Sequence, residues 1–132
     1  MAKESSIQST VLEYLNRKPG CRAENVSGNS SQSGRPDING CYKGRMFKIE
    51  MKSDEHGNIP TKKQLFELLT WQKVGAIVMV AYDLEFIETA FHIIDMCGVN
   101  RDIPDFTSDI KYEFCCCGDS KHIEKLLEEY DQ

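Results

Sequence analysis

Two acidic residues and a lysine near the middle of the sequence are of the types that bind a divalent cation. Asp37 follows Pro36, and Glu50 precedes Lys52 by two positions. A hard cation such as Mg²⁺ is usually held by one or two carboxylates, while water and phosphate oxygens complete its coordination. Residues two apart in a β-strand share a face, so the Lys52 ammonium would lie beside the Glu50 carboxylate. There it could orient or help to deprotonate an attacking water, and these residues therefore point to metal-dependent phosphoester hydrolysis.

A β-hairpin would bring the two carboxylates together. Alternation at period two predicts its second strand, whose apolar members are Phe47, Ile49 and Met51. If Lys43 and Gly44 form a two-residue turn, the ladder places Asp37 opposite Glu50. A three-residue turn is the alternative, because lysine is a poor residue for a left-handed position, and it would shift the register by one. A turn at Asn39-Gly40 would leave the second strand without a partner of matching length.

The facing carboxylates favour a cation site over a charged, solvent-facing strand. Like charges opposite each other on a ladder cost stability unless a cation lies between them. Taken singly, Asp37 could be only a turn residue, and Glu50 with Lys52 only an exposed stripe. The Met51 side chain should point into the core, while its backbone carbonyl could reach the metal from between the two functional side chains.

Periodicity and capping residues predict the elements around this hairpin. Helices are expected over residues 4–17, 61–74, 83–96 and 120–130, and strands over 21–26, 76–81 and 110–116, with a loop at 100–109. Residues 76–81 are apolar throughout, as in a strand buried on both faces. Thr61 and Gln64 have capping-box spacing at the start of the second helix. The prediction is one α/β domain over residues 1–132, with a mixed sheet flanked by helices.

The composition fits one compact domain of an intracellular protein. Of the 132 residues, 40% are hydrophobic and 28% charged, and no apolar run is long enough to span a membrane. The first residues turn polar where a signal peptide would turn apolar, so we expect an intracellular location, cytoplasmic for a bacterial or phage source. The six cysteines are then reduced thiols. Neighbours in Cys115–Cys117 would alternate faces of a strand, which favours buried thiols over a zinc site.

Charge is divided unevenly along the chain, whose net charge is −5. Residues 74–132 carry thirteen acidic and four basic side chains, whereas residues 35–73 carry five acidic and eight basic ones. One face could therefore approach phosphate while the rest repels it. The candidate DNA-binding residues are Arg35, Lys43, Arg45, Lys48, Lys62 and Lys63.

The ordered motifs resemble the VRR-NUC branch of the PD-(D/E)xK nuclease superfamily. The matching residues are Gly34–Asp37, Phe47–Lys52, Gly57, Thr61, Gln64 and Gly75–Val80. Glu4, three residues before Ile7 on the first helix, matches the N-terminal acidic position of that branch. The resemblance covers roughly residues 4–82, and residues 83–132 form a C-terminal helix–strand–helix extension without a matched motif.

The resemblance implies a restriction-endonuclease-like αβββαβ core and a DNA endonuclease that depends on Mg²⁺ or Mn²⁺. Asp37 and Glu50 would be metal ligands, Lys52 the catalytic lysine, Glu4 a further ligand and Gln64 the family's site glutamine. Small stand-alone members resemble Holliday-junction resolvases and tend to be homodimers. The expected partners are therefore branched DNA and a second copy of the chain, with no membrane and no small-molecule cofactor.

Several alternatives stay open at the level of sequence. Gln64 could serve only as the last member of its capping box, and Glu4 only as a first-turn acid facing the helix dipole. A sequence-specific or flap-type nuclease would share the same core. A binding module that acts through the acidic C-terminal face, without catalysis, is the alternative outside the enzymes. No recognition-helix signature is present, which favours recognition of DNA shape.

Overall fold

A six-stranded sheet with helices on both faces organises the part of the chain that the computed structural model describes, which is residues 4–26, 34–53, 58–118 and 121–131. The elements in chain order are α1 (Glu4–Arg17), β1 (Cys21–Asn25), β2 (Ile38–Tyr42), β3 (Arg45–Met51), α2 (Lys62–Lys73), β4 (Ile77–Ala81), α3 (Leu84–Cys97), β5 (Phe106–Thr107), β6 (Phe114–Cys116) and α4 (Lys121–Tyr130).

The sheet is mixed, as the sequence predicts. Its strand order is β1-β2-β3-β4-β6-β5. Strands β3 and β4 are parallel and are joined through α2, whereas the other neighbouring strands are antiparallel. The expected αβββαβ core is present as α1, β1, β2, β3, α2 and β4. The α/β fold class is thereby confirmed.

Two separate cores lie on the two faces of the sheet. On one face, α1 and α3 pack against residues that include Phe47, Ile49 and Met51 of β3. On the other face, α2 and α4 pack against β4 and β6, with Leu65, Leu68, Ile123 and Leu126 among the buried residues. Side chains alternate along a strand, so the even-numbered residues of β3 point toward the α2 face. Lys48 and Glu50 therefore share the α2 side of the sheet.

The C-terminal extension differs from its prediction. The strand expected over residues 110–116 is limited to Phe114–Cys116, because the Glu113 N–H donates to the Ile110 carbonyl (3.0 Å) and closes a turn. The expected loop at 100–109 contains the short strand β5, which pairs with β6. The extension is therefore helix–strand–strand–helix, and it adds two strands to the sheet instead of only covering it.

A side chain of α1 forms hydrogen bonds with the main chain of the edge strand β1. The Asn16 Nδ2 group donates to the Ala23 carbonyl (3.0 Å), and the Ala23 N–H donates to Asn16 Oδ1 (2.8 Å). One carboxamide thus satisfies the donor and the acceptor of one residue on the outer side of the strand.

The cysteines at the end of β6 alternate between the two cores, as predicted. Cys115 and Cys117 belong to the core beneath α1 and α3, whereas Cys116 belongs to the core beneath α2 and α4. All three side chains are fully buried. None of the helices in the described ranges has the length and apolar character needed to cross a lipid bilayer.

Candidate functional site

The hairpin between β2 and β3 brings Asp37 to Glu50. Lys43 (φ 48°) and Gly44 (φ 90°) form a two-residue turn in which both residues have positive φ. This is the turn whose twist suits a hairpin, and it places Ile38 opposite Ile49. The predicted turn and register are confirmed. Continuing that register by one residue sets Asp37 opposite Glu50.

Asp37 extends the ladder with its side chain. Its Oδ2 atom accepts a hydrogen bond from the Met51 N–H at 2.9 Å, and its carbonyl accepts one from the Val26 N–H at 2.8 Å. The carboxylate is therefore fixed by the last residue of β3, and the main chain of Asp37 is held by the residue that follows β1. Sequence reasoning anticipates its position but not this anchoring.

The two carboxyl groups are buried and in contact with each other. Asp37 is 7% exposed and Glu50 is 1% exposed. Burial raises the pKa of Asp37 above its ordinary value, while hydrogen bonds with Glu50 and Met51 and the nearby charge of Lys52 lower it in part. Two buried carboxyls that share a hydrogen bond repel each other once both are ionised. A cation between them would remove that repulsion.

Lys52 completes the group on the same side of the sheet. Its Nζ atom lies 3.6 Å from Glu50 Oε2, and its side chain is as buried as that of Asp37. The Lys52 N–H donates to the Ala81 carbonyl (2.9 Å), which continues the pairing of β3 with β4. The strand geometry that the sequence predicts for Glu50 and Lys52 is therefore present.

Gln64 takes part in the capping box and in the site at the same time. Its Oε1 atom accepts from the Thr61 N–H (2.9 Å), and its own N–H donates to the Thr61 hydroxyl (3.1 Å). Its Nε2 atom donates to Glu50 Oε2 (3.1 Å). The two roles that sequence reasoning treats as alternatives are compatible, because they use opposite ends of one carboxamide.

The chemistry of this group fits a hard divalent cation. Two carboxylates from neighbouring strands are the protein ligands that Mg²⁺ commonly uses, and substrate phosphate and water supply the rest. Among the described residues, no three histidine, cysteine or acidic side chains are grouped as a metal cage would require. Asp37 and Glu50 would hold such a cation, and Lys52 would stand beside it.

Two solved structures with VRR_NUC names resemble the chain. The structure named "VRR_NUC domain" has 26% sequence identity and a TM-score of 0.58, and the match covers 70% of this chain and 97% of that one. The structure named "VRR_NUC domain protein" has 17% identity and a TM-score of 0.57, with coverage of 74% and 92%. The chain has a VRR-NUC-like nuclease fold. The resemblance inferred from the motifs is confirmed.

The structural match is not accompanied by a match in sequence collections. No family model and no curated protein matches the chain. At 17% identity, the second structure supports the fold alone. The nuclease assignment therefore rests on the VRR-NUC-like fold together with the first structure.

The roles of Glu4, Met51 and Gly57 in the site stay predictions. Glu4 begins α1, but its side chain lies outside the described part, as does the whole of Gly57. The Met51 side chain is fully buried in the core beneath α1 and α3, as expected. The role of the Met51 carbonyl as a metal ligand stays a prediction.

The predicted DNA-binding residues fall into different environments. Arg35 and Lys63 are exposed, and the Lys63 stem lies against Gly34, three residues before Asp37. Lys62 is exposed and paired with Asp131. The assignment of these three cations to DNA binding stays a prediction.

Arg45 and Lys43 lie at the other end of the hairpin. The Arg45 guanidinium donates to the carbonyls of Gly75, Val99, Arg101 and Cys117. Those contacts join three loops, so Arg45 stabilises the fold. It lies away from Asp37, Glu50 and Lys52. Lys43 occupies the turn, with its Nζ atom 5.2 Å from the Tyr42 ring centre.

The ammonium of Lys48 lies over an aromatic ring of α2. Its Nζ atom lies 3.8 Å from the centre of the Trp71 ring, and the residue is 6% exposed. Burial lowers the pKa of Lys48, and the positive charge of Arg35 lowers it further, whereas Glu67 and Glu24 act in the opposite direction. The contact crosses from β3 to α2, so no spacing along the chain reveals it.

Proposed function

We propose that the chain is an endonuclease that hydrolyses DNA phosphodiester bonds with Mg²⁺ or Mn²⁺, selects branched DNA such as four-way junctions, and works as a homodimer. The observation that carries the proposal is the buried pair of Asp37 and Glu50 with Lys52 at 3.6 Å, set in a VRR-NUC-like fold. The branched substrate and the dimer are supported by the sequence resemblance, because a four-way junction needs two cuts related by symmetry.

The residues divide the work between binding and orientation. Asp37 and Glu50 supply the carboxylate oxygens that bind the cation, and Gln64 fixes Glu50 by donating to its Oε2 atom. A divalent cation bound there supplies Lewis-acid stabilisation of the charge that develops on the phosphate. The Lys52 ammonium donates hydrogen bonds beside Glu50, where it orients the attacking water and stabilises the phosphate oxygens. Burial strengthens each of these charge interactions, since little water screens them.

The first experiment compares cleavage of a labelled mobile four-way junction with cleavage of a linear duplex of the same sequence. Each substrate is incubated with Mg²⁺, Mn²⁺ or a chelator. We expect paired symmetric cuts in the junction only, and only with metal. The Lys52→Ala variant should not cleave, whereas Lys111→Ala, which removes an exposed lysine paired with Glu129, should cleave like the wild type.

Other outcomes would separate the alternatives. Equal cleavage of both substrates would keep the nuclease and remove the junction selectivity, and cuts confined to overhangs or to one sequence would indicate a flap-type or sequence-specific enzyme. Wild-type rates from Lys52→Ala would remove the lysine from the mechanism. No cleavage with either metal would favour a binding module, and sedimentation of the protein with and without DNA would test the dimer.

A further inference from the structure

The segment that leads into α2 is held by two tyrosine hydroxyls from distant parts of the chain. The Tyr82 hydroxyl donates to the Asn58 carbonyl (2.8 Å), and the Tyr130 hydroxyl donates to the Pro60 carbonyl. Neither tyrosine belongs to a motif in the sequence. Both bonds end on main-chain atoms, so they set the course of residues 58–60 whatever side chains those residues carry.

Tyr82 is itself fixed from two directions. Its N–H donates to Glu113 Oε2 (2.6 Å), and the other oxygen of that buried carboxylate accepts from the Ser108 hydroxyl (2.7 Å). The preceding residue, Ala81, accepts from the N–H of Lys52 (2.9 Å). Tyr82 therefore lies between two contacts: Ala81, the residue before it, pairs with the main chain of Lys52, and its own hydroxyl bonds to the segment that enters α2.

Tyr130 is placed by the packing of α4 against α2. Residues of both helices share one core, in which Leu65 and Leu68 of α2 lie with Ile123 and Leu126 of α4. An ion pair between Lys62 and Asp131 joins the start of α2 to the end of α4. The end of α4 is thus held next to the beginning of α2, which is where the hydroxyl of Tyr130 is needed.

A continuous set of contacts leads from these hydroxyls to the acidic pair. Pro60 precedes Thr61, whose N–H and hydroxyl both bond to Gln64. The Nε2 atom of Gln64 then donates to Glu50 Oε2 at 3.1 Å. A displacement of residues 58–60 moves Thr61, and with it the carboxamide that orients Glu50.

We propose that Tyr82 and Tyr130 are positioning residues for the acidic pair, which act by fixing residues 58–60 so that Gln64 meets Glu50. The C-terminal helix α4 then takes part in building the site, although it lies outside the motif-bearing residues 4–82. The claim about Gln64 stands on the contacts alone. Its consequence for cation binding rests on the proposed function.

The test removes one hydroxyl at a time, in Tyr82→Phe and Tyr130→Phe. The matched control is Tyr112→Phe, because Tyr112 packs against the same core while its hydroxyl contacts Lys111. The first readout needs no metal. It is the NMR signal of the Gln64 side-chain amide, together with hydrogen exchange at the Gln64 N–H, which donates to the Thr61 hydroxyl.

In this readout, each of the two variants should shift the Gln64 amide signal and speed exchange at its N–H, whereas Tyr112→Phe should change neither. Unchanged Gln64 signals in both variants would overturn the proposal. If Tyr82→Phe does not fold, Tyr130→Phe carries the test, since Tyr130 is only half-buried at the end of a helix.

The second readout is the affinity for Mn²⁺ alone, measured by calorimetry or electron paramagnetic resonance. Partners that orient a metal ligand typically change affinity by about 10-fold to 100-fold, so we expect Tyr130→Phe to weaken Mn²⁺ binding about 10-fold. In a Gln64→Ala background, the same substitution should have no further effect. Losses that add in full would show that Tyr130 acts independently of Gln64, and would overturn the proposal.

The two readouts also distinguish failure of the proposal from failure of the proposed function. If wild-type protein binds no Mn²⁺, the metal-dependent function is wrong, and the Gln64 signals still decide whether the tyrosines position that side chain. If wild-type protein binds Mn²⁺ but both tyrosine variants bind it equally well with unchanged Gln64 signals, the function stands and the positioning role is wrong.

Discussion

The charged side chains at the two ends of β3 have opposite surroundings, and the one at the first end is half-buried while the one near the last end is fully buried. At the first residue, Arg45 directs its guanidinium to four neutral carbonyl oxygens contributed by three loops. Near the last residue, Glu50 meets a second carboxyl, that of Asp37, and one ammonium, that of Lys52. The first arrangement stabilises the fold without any ligand. The second arrangement places the carboxyls of Asp37 and Glu50 together, with the Lys52 ammonium as the nearby positive charge.

This contrast gives a criterion for separating structural from functional charge within one strand. Donors matched to neutral acceptors lower the free energy of the folded chain by themselves, whereas like charges brought together raise it until a cation binds. Functional sites commonly carry such a cost in stability. The substitutions below test whether the two ends of β3 differ in this way.

The largest effect is expected from Asp37→Asn. The amide oxygen can still accept from the Met51 N–H, but one of the two acidic charges is lost. Metal-dependent cleavage should fall by more than about 100-fold, beyond the usual effect of residues that only support a ligand. The free energy of unfolding in chelator should rise by about 1 kcal/mol, as when a buried functional charge is removed. Single-turnover cleavage and urea unfolding measure the two quantities, and unchanged cleavage would contradict the ligand role.

Arg45→Met should have the opposite pattern. Four carbonyl groups lose their donor, and two of these contacts are exposed to water, so the free energy of unfolding should fall by about 1–3 kcal/mol. Cleavage and DNA affinity at a temperature where the variant is folded should stay near those of the wild type. Arg45→Lys is the control, because it keeps the charge but cannot reproduce the guanidinium geometry. Full stability in Arg45→Lys would show that the guanidinium contacts do not stabilise the fold, and a loss of DNA affinity in Arg45→Met would return Arg45 to the DNA-binding set.

Exposed and buried lysines near the site should differ in their effect on DNA binding. Lys63→Gln removes an exposed charge next to Arg35, so DNA binding should weaken several-fold and its salt slope should fall by about 1. Lys48→Met should change the slope less, because Lys48 is buried over the Trp71 ring. Binding titrations at four salt concentrations measure both slopes. Equal slopes for the two variants would show that Lys48 reaches the phosphate backbone.

The smallest effect is expected at the hairpin turn. Lys43 has φ of 48°, a conformation that asparagine adopts more readily than lysine, and Asn-Gly is the preferred pair for this turn. Lys43→Asn should raise the free energy of unfolding by about 0.5 kcal/mol. Thermal unfolding measures the change, with Lys73→Asn on an exposed helix end as the control. A concurrent loss of DNA affinity would show that the distant end of the hairpin also contacts the substrate.

Local patterns were sufficient to predict the part of the site that lies within one hairpin. The alternation in β3 and the turn at Lys43-Gly44 determine the register, and the register alone brings Asp37 to Glu50. The capping box at Thr61 also follows from spacing. The second role of Gln64 does not, because a capping pattern says nothing about where the other end of the carboxamide points.

Contacts between residues far apart in the sequence account for what could not be predicted. The sequence places Arg45 among the DNA-binding candidates because it is a cation in a basic stretch, but Val99 and Cys117, whose carbonyls accept from it, lie more than fifty residues away. The hydroxyl bond from Tyr130 to Pro60 has the same character. The apolar alternation that starts at Ile110 extends beyond the strand that forms, Phe114–Cys116, because a turn at residues 110–113 leaves the Ile110 side chain exposed.

The carboxamide of Asn16 has a consequence for how copies of the chain can meet. By occupying the outward N–H and carbonyl of Ala23, it removes one of the positions at which another strand could pair with the edge of the sheet. At the opposite edge, β5 offers only the two residues Phe106–Thr107. Strand pairing between molecules is therefore discouraged at both margins of the sheet, so a second copy of the chain would more readily meet its helices and loops.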